Sequence, residues 1–396
     1  MTHPSTFDPP AADDRADLGD LAAAAGIRRV HILAWRDLAD VEAGGSELHA
    51  ATIARLWSEA GLEVVMRTSY AQGSPPEAVR DGYRVIRRAG RYAVFPRAAL
   101  AELRGRHGER DALVEIWNGV PFFTPLWARG PRITFLHHHH AKMWPLVLAP
   151  KYANFGAQLE TRVAPKLYRR TSIVTLSESS RAELIAKMGF DPKLVRVVPP
   201  GIDERYSVAG DKSEHPLVVA VGRLMPSKGF DRLIGAIDEV RRARPDVELV
   251  IVGDGSERDA LLRRVGELHA TEWVRLVGRV SDNELVSLYR RAWLVASASV
   301  SEGWGMTLTE AAACGTPAVA TRIAGHADAV DNGRSGMLVD SDRELAGTIT
   351  RVLTDDPLRR LLGEGALAHA RNFTWAATAR GAMAALVDDA DRRRRR

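Results

Sequence analysis

Cysteine is almost absent: the chain has a single one, Cys314, in 396 residues. That excludes an intrachain disulfide and any metal site built from several thiolates. Cys314 itself reads as a small packing residue. No apolar run approaches the roughly 18 residues that would suggest a membrane span. The stretch Met1 to Asp20 has neither the basic start nor the apolar core of a secretory signal, so the expectation is an intracellular, cytoplasmic protein. The order of a phosphate-binding Gly-Lys-Ser/Thr loop does not occur, and neither does a Gly-x-Ser-x-Gly elbow or a His-Glu-x-x-His zinc motif. No recognisable RNA- or DNA-binding motif is present, so no nucleic-acid partner is expected.

What is present is ordinary for a globular protein: 45% hydrophobic and 27% charged residues, long enough for two domains. The net charge of +5 is unevenly placed. Residues 392–396 are five arginines, and the first 20 residues carry five Asp against one Arg, which leaves the body at +4. The arginine run reads as a disordered, solvated tail, with peripheral contact to anionic lipid at the inner membrane face as the alternative. Residues 1–25 read as a disordered start.

Strand and helix patterns alternate along the rest. Ile27 to Ala34 reads as a buried first strand, and Ser46 as the N-cap of a helix reaching Ala60. Strand-like runs recur at 83–86, 112–116, 133–136, 173–176 and 195–198. Val198-Pro199-Pro200-Gly201-Ile202-Asp203 then interrupts the pattern with a stiff connection. The alternation restarts at Leu217. This is an α/β chain with two doubly wound, mostly parallel sheets, whose domains are expected to face a cleft. The expected divisions are 26–200, 201–374 and a last helix at 375–391.

The chemistry-bearing stretches fall at strand ends. Gly222-Arg223-Leu224-Met225-Pro226-Ser227-Lys228-Gly229 places two cations in a strand-to-helix loop. There Arg offers a planar fork to phosphate oxygens and Lys a mobile point charge; a solvated basic loop is the plain alternative. In 301–317, Glu302 and Glu310 bracket the turn Gly303-Trp304-Gly305 and a helix from about Thr307, which Gly315 and Pro317 end. Two carboxylates around helix-terminal amides suit a polyhydroxylated, anionic ligand; two solvated glutamates on an ordinary corner are the alternative. Gly44-Gly45-Ser46-Glu47 allows close backbone approach at a helix N-terminus.

Four histidines follow the strand at Ile133: His137, His138, His139 and His140. Consecutive extended residues point to alternate faces, so four cannot converge on one ion. His137, nearest the strand end, is the best candidate of the run. Asp340-Ser341-Asp342 resembles a metal-binding pair but suits a helix N-cap better. No metal and no cofactor is therefore expected.

Taken in order, Gly-Gly-Ser-Glu, a His after a strand, Val-Pro-Pro-Gly-Ile-Asp, Gly-Arg-Leu-x-x-x-Lys-Gly and Glu-Gly-Trp-Gly-x-x-x-x-Glu-Ala-x-Ala-x-Gly-x-Pro resemble the retaining glycosyltransferases of family GT4, the group 1 transferases. The resemblance runs from about Val30 to Trp375, and the leading Ala-Trp-Arg-Asp-Leu-Ala-Asp-x-x-Ala-Gly-Gly-Ser-Glu is similar to a bacterial subset. It implies the GT-B fold and transfer of a sugar from a UDP- or GDP-linked donor, without a metal, to an acceptor that the sequence does not name (lipid, glycan or small metabolite).

The resemblance also implies roles. Arg223 and Lys228 bind the diphosphate, and Glu310 the ribose. Glu302 and the amides following Gly303, through Trp304, Gly305, Met306 and Thr307, contact the transferred sugar. Gly45 lies against the diphosphate or sugar, and His137 near the reacting carbon. Gly278 and Val280 frame the base. Trp304 stands where Phe is commoner. The last helix is implied to cross back onto the first domain. An epimerase or phosphorylase on the same fold, or a non-catalytic nucleotide-sugar binder, would share these features; acceptor-dependent release of free nucleotide distinguishes a transferase from both.

Overall fold

The computed structural model describes residues 14–139, 144 and 150–395. They form two units: one is Ile202–Phe373, the other Pro10–Gly201 together with Thr374–Arg396. Uniformly apolar segments such as Leu217–Val221 make strands buried on both faces, which is the condition for parallel sheets covered by helices.

The N-terminal unit holds β1 (Arg29–Leu33), β2 (Glu63–Thr68), β3 (Glu77–Arg80), β4 (Tyr83–Arg87), β5 (Ala112–Ile116), β6 (Arg132–Phe135), β7 (Ser172–Thr175) and β8 (Val195–Val197). Their order is β3-β4-β2-β1-β5-β6-β7-β8. All pairings are parallel except that of β3, an edge strand antiparallel to β4 that sequence patterning missed. The C-terminal unit holds β9 (Leu217–Val221), β10 (Glu248–Val252), β11 (Val274–Gly278), β12 (Leu294–Ser297), β13 (Ala318–Thr321) and β14 (Gly336–Val339), in the order β11-β10-β9-β12-β13-β14. Each sheet reverses its winding direction once, between β1 and β5 and between β9 and β12. Loops at such switch points diverge and leave room for a ligand.

The helix Trp375–Arg394 belongs to the N-terminal unit. Its Ala379, Ala382, Met383 and Leu386 enter the same core as Ile53 and Trp57. The Trp57 indole N–H donates to the Ala379 carbonyl at 3.0 Å. Burying Met383 and Leu386 alone contributes about 1.5–3 kcal/mol each. At Gly201 a Cβ would lie 2.1 Å from the Trp375 backbone nitrogen, so only glycine lets these two passages of chain cross.

Two segments expected to be disordered are ordered. Residues 14–24 form the helix Asp14–Ala24, and residues 1–13 lie outside the described part. Leu18 and Ala22 of that helix are buried beside the helix Trp375–Arg394, and Asp17 pairs with Arg380 at 2.7 Å. The acidic, Ala-rich composition concealed a helix whose stability is tertiary. The arginine tail likewise continues the last helix through Arg394. The fully buried Asp389 accepts from Arg392 and Arg393, and Asp391 from Arg394. Arg396 lies outside the described residues.

Candidate active site

In the C-terminal unit, the loop after β9 carries the basic residues and the loop after β12 carries Glu302. These strands are adjacent and parallel, with Val219 beside Val295. The loops are stitched together beyond the sheet edge: the Val300 N–H donates to the Ser227 carbonyl at 2.9 Å, and Arg232 donates to the Ala298 carbonyl. A short 3-10 turn, Pro226–Lys228, ends at Gly229 with φ 62°, where a Cβ would meet the Ala298 oxygen at 2.4 Å. That turn presents Lys228 to Glu302, and the two form an ion pair. Arg223 is exposed at the start of the same loop.

Glu302 is the hub of a network that sequence reading did not find. The Ser299 hydroxyl donates to Glu302 Oε1 at 2.9 Å, and the Thr321 hydroxyl donates to the Ser299 carbonyl at 2.6 Å. His326 Nδ1 lies 2.9 Å from the Thr321 carbonyl, so that nitrogen carries the proton. Burial opposes a charged Glu302, but Lys228, His326 and the Ser299 hydroxyl outweigh it and hold its pKa down at about 2. Burial lowers the pKa of His326, against the pull of Glu302. Ser299, Thr321 and His326 sit at the ends of β12 and β13 or just beyond them; only their position at strand ends could have signalled them.

The turn that follows is packed backbone to backbone. Gly325 has φ 88°, and a Cβ there would lie 2.6 Å from the Trp304 nitrogen and 2.7 Å from the Glu302 oxygen. Gly305 caps the helix Met306–Ala313 with φ 117°, its open side against the His326 ring. The first amides of a helix have no partner within it, which leaves the Met306–Thr307 turn a natural anion acceptor. Gly303 is buried. Trp304 turns its ring inward, 5.0 Å from Phe373, so what it offers a ligand is backbone.

Glu310, one helical turn on, has a different environment. It is buried, and the Tyr289 hydroxyl donates to its Oε2 at 3.1 Å. Burial pushes its pKa up to about 7; the Tyr289 hydrogen bond opposes this, while Asp203 and Asp282 add to it. Val280 packs in the same cluster as Tyr289 and Tyr206. Gly278 ends β11 with φ 74°, and its carbonyl accepts from the Gly253 N–H at 2.7 Å. Asp340 and Asp342 pair with Arg322 and Arg232, and the Ser341 hydroxyl accepts the Glu344 N–H as a helix cap. Cys314 is buried, and burial pushes its thiol up to about 11.

In the N-terminal unit, the helix Gly45–Glu59 starts two residues earlier than an N-cap at Ser46 would give. Gly44, not Ser46, is the N-cap, and its N–H donates to Glu47 Oε2 at 2.9 Å. Ser46 instead accepts from Asn118 at 3.3 Å, which joins the loops after β1 and β5 at their switch point. Gly45 is exposed there.

The histidine run alternates as extended residues must: His137 and His139 are buried, His138 is partly exposed, and His140 lies outside the described residues. His137 stacks edge-on against His49 at 4.9 Å. His49, missed in the sequence, has no hydrogen-bond partner for either ring nitrogen, and burial lowers its pKa to about 3. It behaves as an apolar filler between Phe135, His137 and Trp375. The one group of metal-ligand geometry among the described residues is elsewhere, at His31, Glu102 and His107. Its members are already hydrogen-bonded to one another, and Glu102 to Arg110.

Comparison with known proteins agrees in fold and family. A model described as glycosyl transferases group 1 matches residues 203–369, and one described as glycosyltransferase family 4 matches residues 43–206. A D-inositol 3-phosphate glycosyltransferase of Salinispora arenicola is 30% identical over 393 residues, covering 86% of each chain. Its counterpart from Segniliparus rotundus is 36% identical over 210 residues, 49% of this chain and 47% of that one. The chain thus spans about half the length of some curated relatives that it matches.

Among solved structures, sucrose-phosphate synthase from Thermosynechococcus elongatus has a TM-score of 0.76 at 19% identity, over 89% of this chain and 96% of that one. HepE from Anabaena, in complex with UDP-glucose, has a TM-score of 0.71 at 21% identity, over 90% and 98%. The fold is GT-B.

Proposed function

Because the chain belongs to the group 1 glycosyltransferases, we propose that it moves a sugar from a nucleoside-diphosphate donor, UDP- or GDP-linked, to an acceptor hydroxyl, with retention at the anomeric carbon and without a metal. The observation that carries this reading is the Lys228–Glu302 pair at the β9/β12 switch point, beside the helix terminus at Gly305. A lysine and an adjacent arginine, Arg223, suit a diphosphate. Each charge-assisted hydrogen bond contributes roughly 1.5–3 kcal/mol. Both gain strength as negative charge develops on the departing phosphate, which is how they favour the transition state over the bound donor.

Glu302 is kept ionised and has hydroxyl-accepting capacity for the sugar beyond what Lys228 and Ser299 occupy. Glu310 accepts the ribose hydroxyls in its anionic form. The bond from the anomeric carbon to the diphosphate breaks as the acceptor oxygen attacks from the same face. No enzymic nucleophile is assigned. His137 and Gly45 are the N-terminal unit's candidates for contact with the sugar.

The printed names of the relatives make D-inositol 3-phosphate the first acceptor to try, and the UDP-glucose complex of HepE makes UDP-linked sugars the first donors. The test is a matrix of UDP- and GDP-sugars against D-inositol 3-phosphate and other acceptors, read as nucleotide release. Release that requires an acceptor supports the reading. Donor binding with no turnover on any acceptor would favour a non-catalytic binder, and no thermal shift with any nucleotide would sink both.

A further inference from the structure

The helix Val94–Leu103 has two unlike faces. Val94 and Ala98 pack into a cluster with Leu33, Leu113 and Phe122. On the other side Pro96, Arg97, Leu100, Leu103 and Arg104 are all exposed. Their spacing places them on one continuous stripe of a 3.6-residue helix. The exposed apolar part is large: Leu100 is 45% exposed and Leu103 62%, with Leu126 at 65% on the adjoining helix Thr124–Trp127 and Tyr92 at 79% just ahead of the stripe.

The charge around this stripe has one sign. Arg97, Arg104 and Arg106 are exposed and make no ion pair among the described residues. The carboxylates nearest in the chain are committed elsewhere: Glu102 to His31, His107 and Arg110, and Glu109 and Asp111 to Arg29. By contrast, Arg392, Arg393 and Arg394 of the tail are paired with Asp389 and Asp391. Arg97 on the stripe, Arg104 at its end and Arg106 just beyond it are therefore left uncompensated among the described residues.

We propose that this face of the helix Val94–Leu103, with Tyr92 and Leu126 at its border, docks on an anionic lipid surface. Leucines beside unpaired arginines suit a bilayer boundary, where the apolar side chains enter and the guanidiniums remain among the phosphates. A second copy of this chain is the poorer fit, since a two-fold interface would press the same arginines against one another. A nucleic acid would engage the arginines and leave the leucines unused.

The test is co-sedimentation of the full-length protein with vesicles of 30% phosphatidylglycerol in phosphatidylcholine, against phosphatidylcholine alone. Binding is expected to the anionic vesicles only, and to fall in high salt. Arg97→Gln with Arg104→Gln should weaken it about 30-fold, from the ~1 kcal/mol that each basic residue contributes near such a surface. Leu100→Gln with Leu103→Gln should weaken it at unchanged charge, while Arg394→Gln with Arg395→Gln should leave it intact. These are surface positions, so a circular dichroism melt matching the parent is expected of each. No binding to anionic vesicles, equal binding to neutral ones, or indifference to both helix-face pairs overturns the proposal. So does a concentration-dependent dimer that both pairs abolish, which would assign the face to a second copy.

Discussion

The Lys228 ammonium and the Glu302 carboxylate are paired across two loops that leave neighbouring parallel strands. Each therefore sets the other's position, and in the proposed reaction a donor diphosphate would share Lys228 with Glu302.

Lys228→Ala is expected to lower turnover by about 10²-fold or more, the scale found when one charge-stabilising donor is removed. The loss should be non-additive with Glu302→Gln, because either single change already breaks the pair. Steady-state rates of the two single variants and the double variant check this. Full activity in Lys228→Ala would remove the lysine from the mechanism.

Glu310 should make nucleotide binding depend on pH. Its carboxyl is pushed up to about 7 by burial, and in the proposed binding mode only the anion would accept both ribose hydroxyls. The Kd of the nucleoside diphosphate is expected to rise by up to about tenfold per pH unit below 7, with a flat profile in Glu310→Gln. Titration calorimetry between pH 5.5 and 8.5 measures it.

The same group predicts a stability change of definite sign. A carboxyl whose pKa is raised on folding stabilises fully below its unfolded value, 4.5, and that contribution is lost as pH rises through about 7. Glu310→Gln should therefore melt higher than the parent at pH 8, by an amount on the order of 3 kcal/mol, and much less so at pH 5. Equal differences at both pH values would contradict the buried, raised carboxyl.

Gly325→Ala should cost about 3 kcal/mol or more, since it combines a positive φ with a Cβ 2.6 Å from the Trp304 nitrogen. Gly333→Ala is the control: φ is 82° there, but nothing lies within 4 Å. Its cost should be about 1 kcal/mol. Urea denaturation compares them, and nucleotide affinity should fall only in Gly325→Ala.

Asp389→Ala should destabilise by about 2–4 kcal/mol. It leaves the Arg132 N–H without the acceptor it now has at 2.9 Å and removes the partner of Arg392 and Arg393. A drop in the urea midpoint at unchanged slope is the expected readout.

Much of this architecture is legible along the chain, because parallel strands buried on both faces make short apolar runs and helices separate them. The basic loop at Arg223–Lys228 and the Glu302–Glu310 turn were legible for the same reason: strand, glycine-rich turn and helix follow one another directly. What the sequence concealed depends on contacts across the fold. Nothing near Asp14–Ala24 announces the last helix against which Leu18 packs. Ser299, Thr321 and His326 gather around Glu302 only because β12 and β13 are neighbours in the sheet. The arginine tail was the avoidable miss, since Asp389 stands three and four residues before Arg392 and Arg393, the helical ion-pair spacing.

The return of the last helix has a consequence for synthesis. The core around Trp57 lacks Ala379, Ala382, Met383 and Leu386 until more than three hundred further residues have been made. At 5–20 residues per second that wait is tens of seconds. The unit that begins first on the ribosome is therefore completed last, with the whole of Ile202–Phe373 translated as an insertion within it. During that interval the groove awaiting the helix is exposed apolar surface, and a nascent chain halted before Trp375 should need a chaperone to stay soluble.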